Sequence, residues 1–282
     1  MTSRTEPKGE SKEKSEIREG QSVELLKALH ILTRDGTMNS DSRRKLKQVY
    51  HLVSFIEPIL KELLKREQPV NIVDVGAGKS YLGFILYDLF LKDATNVKIW
   101  AIETRHDLVE KSEKLASQFK FDRMKFINEK ISDSNSKSEL PKKLDLVLAL
   151  HACDTATDDA IDFGLSSRAE HIVLVPCCQA EMAEKLKALP STHAIRELWA
   201  HPHHRREFGS HLTNVLRGLK LESSGYKVRV TELVGWEHSM KNELIVASEL
   251  DNKSYVTEAR KRWKSMSEQI PVNTRTSFTT KD

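Results

Sequence analysis

Short runs of β-branched and aliphatic residues alternate with longer stretches of helical spacing over most of this chain. Ile72, Val73 and Val75 form the first run; Val97 to Ile102, Met124 to Asn128, Leu144 to Leu150 and His171 to Val175 are four more. Near-continuous apolar runs of this length read as strands buried on both faces. Between them Tyr81 to Leu91 sets Leu82, Ile85, Leu86 and Leu89 on one helical face. Leu108 to Phe119, a helix through Ile161 capped by Thr155 or Thr157, and Ala180 to Ala188 fill the later gaps. Strands alternating with helices predict a parallel sheet. Arg205 to Glu222 then reads as a long helix with Leu212, Val215, Leu216 and Leu219 inward. Val228 to Leu233 and Leu244 to Ala247 are two further strands, and their joint is too short for a helical crossover, so they pair antiparallel. The pattern predicts an α/β fold of seven strands ending in an antiparallel hairpin.

Two helices precede the sheet. Val23 to Thr33 has Leu25, Leu26, Leu29 and Leu32 on one side, and Arg43 to Lys65 keeps helical spacing behind N-cap candidates at Asn39 to Ser42. Pro58 is expected to kink this second helix or split it. Residues 1–20 hold hardly an apolar side chain and read as a disordered tail. The expected division is thus a tail over 1–20, a helical segment over 21–66, the main domain over 67–250, and a mobile charged helix with a polar tail over 251–282.

The candidate chemistry begins where the first strand ends. Asp74 sits near its carboxyl end, and Gly76 and Gly78 follow at once, where a tight turn needs free backbone angles. A strand, a glycine turn and a helix make the nucleotide-binding crevice of an open α/β sheet. Three ligands compete for it. A phosphate-binding loop ending Gly78-Lys79-Ser80 needs a glycine at position 73, which is Val73. A dinucleotide wants a third glycine near position 81, which is Tyr81, and sets its pyrophosphate against Asp74. S-adenosylmethionine carries an amino group and a sulfonium and no phosphate, and it tolerates Asp74. Glu103 closes the second strand, where two adjacent ribose hydroxyls donate to one carboxylate. Glu129 to Ser132 fall where an adenine edge lies, with Ile131 as the apolar contact. Ala77, Tyr81, Thr104, Leu150 and His151 complete the expected cofactor set.

Composition narrows the class without choosing a partner. The chain has 282 residues, enough for a sizeable core, and a formal net charge of +4. Three cysteines, two of them adjacent, are no disulfide framework and fit a reducing compartment. No apolar run approaches a membrane span, and the start of the chain lacks the apolar stretch of a signal peptide. The expectation is a cytoplasmic protein with no membrane association and no obligate protein partner.

Val73 to Leu82, Leu150 to Asp158 (LHACDTATD), Pro176 to Gln179 (PCCQ) and Lys241 to Ile245 (KNELI) together resemble a family of S-adenosylmethionine-dependent methyltransferase-domain proteins. That family includes the methyltransferase-like proteins once labelled ribosomal RNA adenine dimethylase domain-containing, and Arg206 to Ile245 looks like its bacterial branch. It is distantly similar to tRNA 2′-O-methyltransferases, although Asp154 stands where those enzymes carry glycine and their zinc-binding N-terminal module has no counterpart here. The resemblance covers roughly residues 43–248. It implies a Rossmann-like seven-stranded methyltransferase sheet, a cofactor held by Asp74, Gly76, Gly78 and Glu103, and His151 and its neighbours facing the methyl group.

Methyl transfer needs an aligned nucleophile and often a base. His151 is the candidate base or orienting group, with Asp154 beside it and Cys177 after the next strand as a candidate nucleophile. A metal site from His151, Cys153, Cys177 and Cys178 lacks the spacing of structural zinc, so no metal is expected. The basic cluster His201 to Arg206 is a candidate grip on RNA phosphates, extended along the helix by Ser210, Thr213 and Arg217. Arg206, Trp236 and Asn242 are the candidate substrate contacts. The expected function is methyl transfer to an acceptor, RNA favoured. The alternatives are a protein methyltransferase and a silent methyltransferase fold that serves as a binding or scaffold module.

Overall fold

The computed structural model describes residues 16–131, 140–150, 155–176, 180–189, 195–233 and 243–270. Its elements are α1 (Val23–Ala28), α2 (Ser40–Leu63), β1 (Val70–Val75), α3 (Tyr81–Leu86), β2 (Val97–Ile102), α4 (His106–Gln118), β3 (Met124–Ile127), β4 (Leu146–Ala149), α5 (Thr155–Ser166), β5 (His171–Leu174), α6 (Ala180–Ala188), α7 (Pro202–Ser223), β6 (Tyr226–Glu232), β7 (Glu243–Glu249) and α8 (Lys253–Gln269). The strands form one seven-stranded sheet in the order β3-β2-β1-β4-β5-β7-β6. β1 to β5 pair in parallel, and β7 runs antiparallel between β5 and β6. The expected fold and its terminal hairpin are therefore present.

Alternation along each strand divides the interior into two cores. Val70 and Ile72 of β1, Leu146 and Leu148 of β4, and Val173 of β5 face one side, under α1, α2 and α3. Val73, Val75, Val147 and Leu174 face the other, under α5 and the end of α7. Asp74 shares the strand parity of Ile72, so its side chain belongs to the first side. A third, smaller cluster joins α6, α7 and α8 through Met182, Leu186, Trp199, Leu212, Leu216 and Ile270.

Helix directions matter for function. Just beyond α2, Arg66 forms two bonds of 2.7 Å to the Glu170 carboxylate, immediately before β5. Just beyond α7, Tyr226 donates to the Ala169 carbonyl at 2.6 Å. Both helices thus finish at the amino edge of the parallel strands, on opposite faces of the sheet. Each points its amino end toward the carboxyl edge, where open α/β sheets hold their ligands.

Several expectations change. α2 is one 24-residue helix that runs through Pro58. Pro58 is exposed, so the carbonyl it leaves unbonded can face water, while buried Ile56, Ile59, Leu60 and Leu63 hold the helix on both sides of it. The tail bound moves too: Arg18 N–H donates to the Tyr50 hydroxyl at 3.0 Å, and the Arg18 guanidinium pairs with Glu57 at 2.9 Å. α3 ends in a π-type turn, Tyr87–Leu91, whose Leu91 and Lys92 carbonyls accept from Arg123. The mobile charged helix is instead α8, docked on α7: Tyr255 and Arg262 both donate to Glu222, and Ala259 is buried. Among the described residues, no helix is long and apolar enough to cross a membrane.

The largest correction concerns α7. Arg217 and Thr213, expected on a solvated polar face, are buried. Thr213 donates to the Gly209 carbonyl within its own helix. Arg217 Nε and Nη2 grip the two oxygens of Asp158 in α5 at 3.0 and 2.7 Å. Nη1 reaches Asn214, which donates to Glu243 in β7 at 2.6 Å. A planar guanidinium meeting a carboxylate at two points holds both orientation and distance. Removing one partner strands the other in a dry interior. Arg217→Ala is expected to lower stability in urea denaturation by about 3 to 5 kcal/mol; a loss below about 1 kcal/mol would show that the pair does not join α5 to α7.

Candidate cofactor site

Parallel pairing sets the site's frame. Asp74 lies opposite Ala101 and Val75 opposite Ile102, so β1 and β2 end side by side, and Glu103 follows at once. The turn after β1 is tied across to β2 by Ala77 N–H, which donates to the Ile102 carbonyl at 3.0 Å. Gly76 has φ +64° and Gly78 φ +58°, left-handed angles that favour glycine. A Cβ on Gly76 would meet nothing within 4 Å, so open space lies over this part of the turn. Ser80, the N-cap of α3, is held left-handed at φ 52° without a side-chain cap bond, a strained setting of the kind that clusters at ligand sites. Tyr81 opens α3, with the Lys79 ammonium 5.9 Å from its ring centre.

The two acids differ sharply. Asp74 is 2% exposed, and its Oδ1 has no hydrogen-bond partner among the described residues. Burial, with a smaller contribution from the Glu103 charge, pushes its pKa up to about 7. Glu103 is surrounded by donors. Its Oε2 accepts from Gly78 N–H at 2.8 Å, and its Oε1 from Arg105 N–H at 3.0 Å and the Thr104 hydroxyl at 3.2 Å. The Arg105 guanidinium reaches both oxygens, Nε to Oε1 at 3.1 Å and Nη2 to Oε2 at 3.4 Å. Burial would raise the Glu103 pKa, but the bonds from Arg105 and Gly78 outweigh it and hold it below the usual carboxylate range. One acid is thus fully served, and its neighbour is left without a counter-charge.

The segment expected to meet the adenine follows β3. Asn128 Nδ2 donates to the Glu103 and Thr104 carbonyls at 2.9 Å each, fixing the loop after β2. Glu129 Oε2 is buried with no partner among the described residues. Ile131 packs, partly buried, against the core under α5, and Leu150 against the opposite core. Of the expected cofactor residues, Asp74, Gly76, Ala77, Gly78, Tyr81, Glu103 and Thr104 gather at adjoining ends of β1 and β2. Arg105 and Asn128 were not among the expected residues. An arginine two residues after Glu103, the acid expected to hold the ribose, was the visible signal for the first.

The expected catalytic residues His151, Asp154 and Cys177, and the substrate residues Trp236 and Asn242, lie outside the described residues, as do Cys153 and Cys178 of the metal alternative. The described chain leaves β4 at Leu150 and resumes at Thr155, where α5 opens. Arg206 lies on the first turns of α7 with its side chain 64% exposed, near Glu207 and His203. The site's residues suit a ligand with a cationic group at Asp74 and a diol at Glu103.

Residues 44–185 match a family described as a methyltransferase domain. No curated protein sequence matches the chain. Among solved structures it is similar to an rRNA methylase from Streptococcus thermophilus, at 12% identity and TM-score 0.44 over 71% of this chain and 96% of that one. A precorrin-6y C5,15-methyltransferase from Geobacter metallireducens has 16% identity and TM-score 0.40, covering 69% and 88%. A SAM-dependent methyltransferase from Aquifex aeolicus has 17% identity and TM-score 0.39, covering 68% and 87%. Likenesses this distant assign no acceptor. The family match spans half of the chain and takes in the glycine turn, Asp74 and Glu103, and the chain belongs to this methyltransferase-domain family, whose cofactor is S-adenosylmethionine.

Proposed function

We propose that this protein transfers a methyl group from S-adenosylmethionine to RNA. The observation that carries the cofactor half is the buried Asp74 carboxylate, which lacks a partner among the described residues beside an open glycine turn. A cationic ligand group answers that charge, and a phosphate does not. The cofactor supplies an electrophilic methyl group on a sulfonium. Asp74 takes its amino group, Glu103 its ribose hydroxyls, Glu129 and Ile131 the adenine, and Gly76 gives the backbone room to approach.

The acceptor half is supported by charge at the carboxyl edge. α2 and α7 bring their amino ends there from opposite faces, and both are basic. Arg43, Arg44, Lys45 and Lys47 lie on α2, and His201, His203, His204, Arg205 and Arg206 lie at the start of α7. Glu16 and Asp41 offset part of the first set. A cleft flanked by cations on both walls suits a phosphate backbone, whose contacts supply most non-specific affinity. In this reading His151 is the base or orienting group, Asp154 and Cys177 are the further catalytic residues, and Trp236 and Asn242 are substrate contacts.

Two outcomes test this reading. The folded protein holds a proton on Asp74 up to pH about 7, against 3.8 ordinarily. The stability due to that proton is full below pH 3.8 and lost as pH rises to about 7, a change on the order of 4 kcal/mol. The wild type is therefore expected to lose stability relative to Asp74→Asn over that window, by denaturant titration, and S-adenosylhomocysteine is expected to restore it. A flat difference would mean that Asp74 is not strained by its charge. The second test follows tritiated methyl groups into cellular RNA and protein fractions. The label is expected in RNA. His151→Ala is expected to cut transfer by about 100-fold or more; full transfer by His151→Ala, or label confined to protein, contradicts the assignment.

A further inference from the structure

The saturation of Glu103 has a consequence for how the ribose is bound. A carboxylate has about four lone-pair positions. Here three donors meet Oε1 and two meet Oε2. A ribose cannot add two more. One set of donors must leave, and the donors differ in how easily they can. The Gly78 and Arg105 N–H groups are backbone, fixed by the turn and by the start of α4. The Arg105 guanidinium is on a side chain 64% exposed to solvent.

We infer that the Arg105 side chain occupies the ribose seat in the free protein and sets cofactor affinity by competing for Glu103. Three features support this. First, the guanidinium contributes one bond to each oxygen, Nε to Oε1 and Nη2 to Oε2. Its departure takes one donor off each oxygen, which opens a position on Oε2, and the Thr104 hydroxyl, bonded at 3.2 Å, can rotate off Oε1 to open the position for the second ribose hydroxyl. Second, its Nη2 lies 3.7 Å from the position of a Cβ on Gly78, so it reaches over the glycine turn as well as over the acid. That is the volume between turn and acid which the ribose takes. Third, departure leaves α4 intact, because Arg105 is its N-cap residue yet makes no side-chain cap bond. Asp107, in the first turn of α4 and paired with Lys111 at 3.1 Å, also acts on the Arg105 charge. The pair is open to solvent on its arginine side, with the Glu103 side chain 9% exposed, so the guanidinium can swing out to water while the carboxylate stays in place.

This inference rests on the cofactor reading above and deepens it. The test is calorimetric titration of the full chain with S-adenosylhomocysteine for the wild type and Arg105→Ala, with adenosine and 2′,3′-dideoxyadenosine as paired probes. Arg105→Ala is expected to bind S-adenosylhomocysteine about two- to fivefold more tightly. The gain is expected for adenosine and absent for the dideoxy analogue, which asks nothing of Glu103. A residue with a merely structural role would not tighten binding on removal. Equal or weaker binding of S-adenosylhomocysteine by Arg105→Ala, with the wild type binding, overturns the inference and leaves the cofactor reading standing. Equal gains for both nucleosides also overturn it, since the competition would then not be for the diol. Failure of both proteins to bind all three overturns the cofactor reading and this inference together.

Discussion

The parallel register of β1 and β2 is the constraint on which the site depends. It brings Asp74 and Glu103 to adjoining strand ends, and the glycine turn binds them together through Ala77 and Gly78. The two acids then part in character through their surroundings. Glu103 is buried too, but backbone and guanidinium donors surround it and keep it ionised. Asp74 lies beneath it on the face covered by α3, where water is excluded and the nearest charge is of the same sign. Two like charges at close quarters, only one of them solvated by the protein, form a site with a built-in demand for a cation.

The remainder of the fold holds that edge open. Two helices run back along opposite faces of the sheet and finish at its amino edge, tied there by Arg66 to Glu170 and Tyr226 to Ala169. Their basic amino ends therefore frame the carboxyl edge. On one face, the Arg217–Asp158 grip fixes α7 against α5, and Asn214 extends that fixation to β7. The α6, α7 and α8 cluster braces the same wall from outside. The site thus sits between rigid supports, as a binding constellation requires.

What was legible in the sequence follows from what is local. Strands β1, β2 and β5 were marked by their own β-branched residues, and the terminal hairpin by the length of its joint. Asp74, Gly76, Gly78 and Glu103 could be found because each closes a strand or opens a turn. Interactions across the fold left no such mark. Nothing near Arg217 in the chain announces Asp158, so a fully buried arginine looked like part of a basic surface. The docking of α8 depends on Glu222 and on an apolar cluster drawn from three other elements, and its charged composition gave the opposite impression. Pro58 does not split its helix, because burial on either side of it overrides the local preference. Arg105 stood in plain view two residues beyond Glu103, but only geometry shows that its fork takes both oxygens.

The central claim is that the Asp74 and Glu103 edge is a S-adenosylmethionine site. Its most direct test is calorimetric titration of the wild type and of Asp74→Ala with S-adenosylhomocysteine, with ATP as the competing ligand. The account predicts micromolar binding of S-adenosylhomocysteine to the wild type, its loss in Asp74→Ala, and no binding of ATP. Binding of ATP in preference to S-adenosylhomocysteine, or equal binding by the wild type and Asp74→Ala, would contradict it.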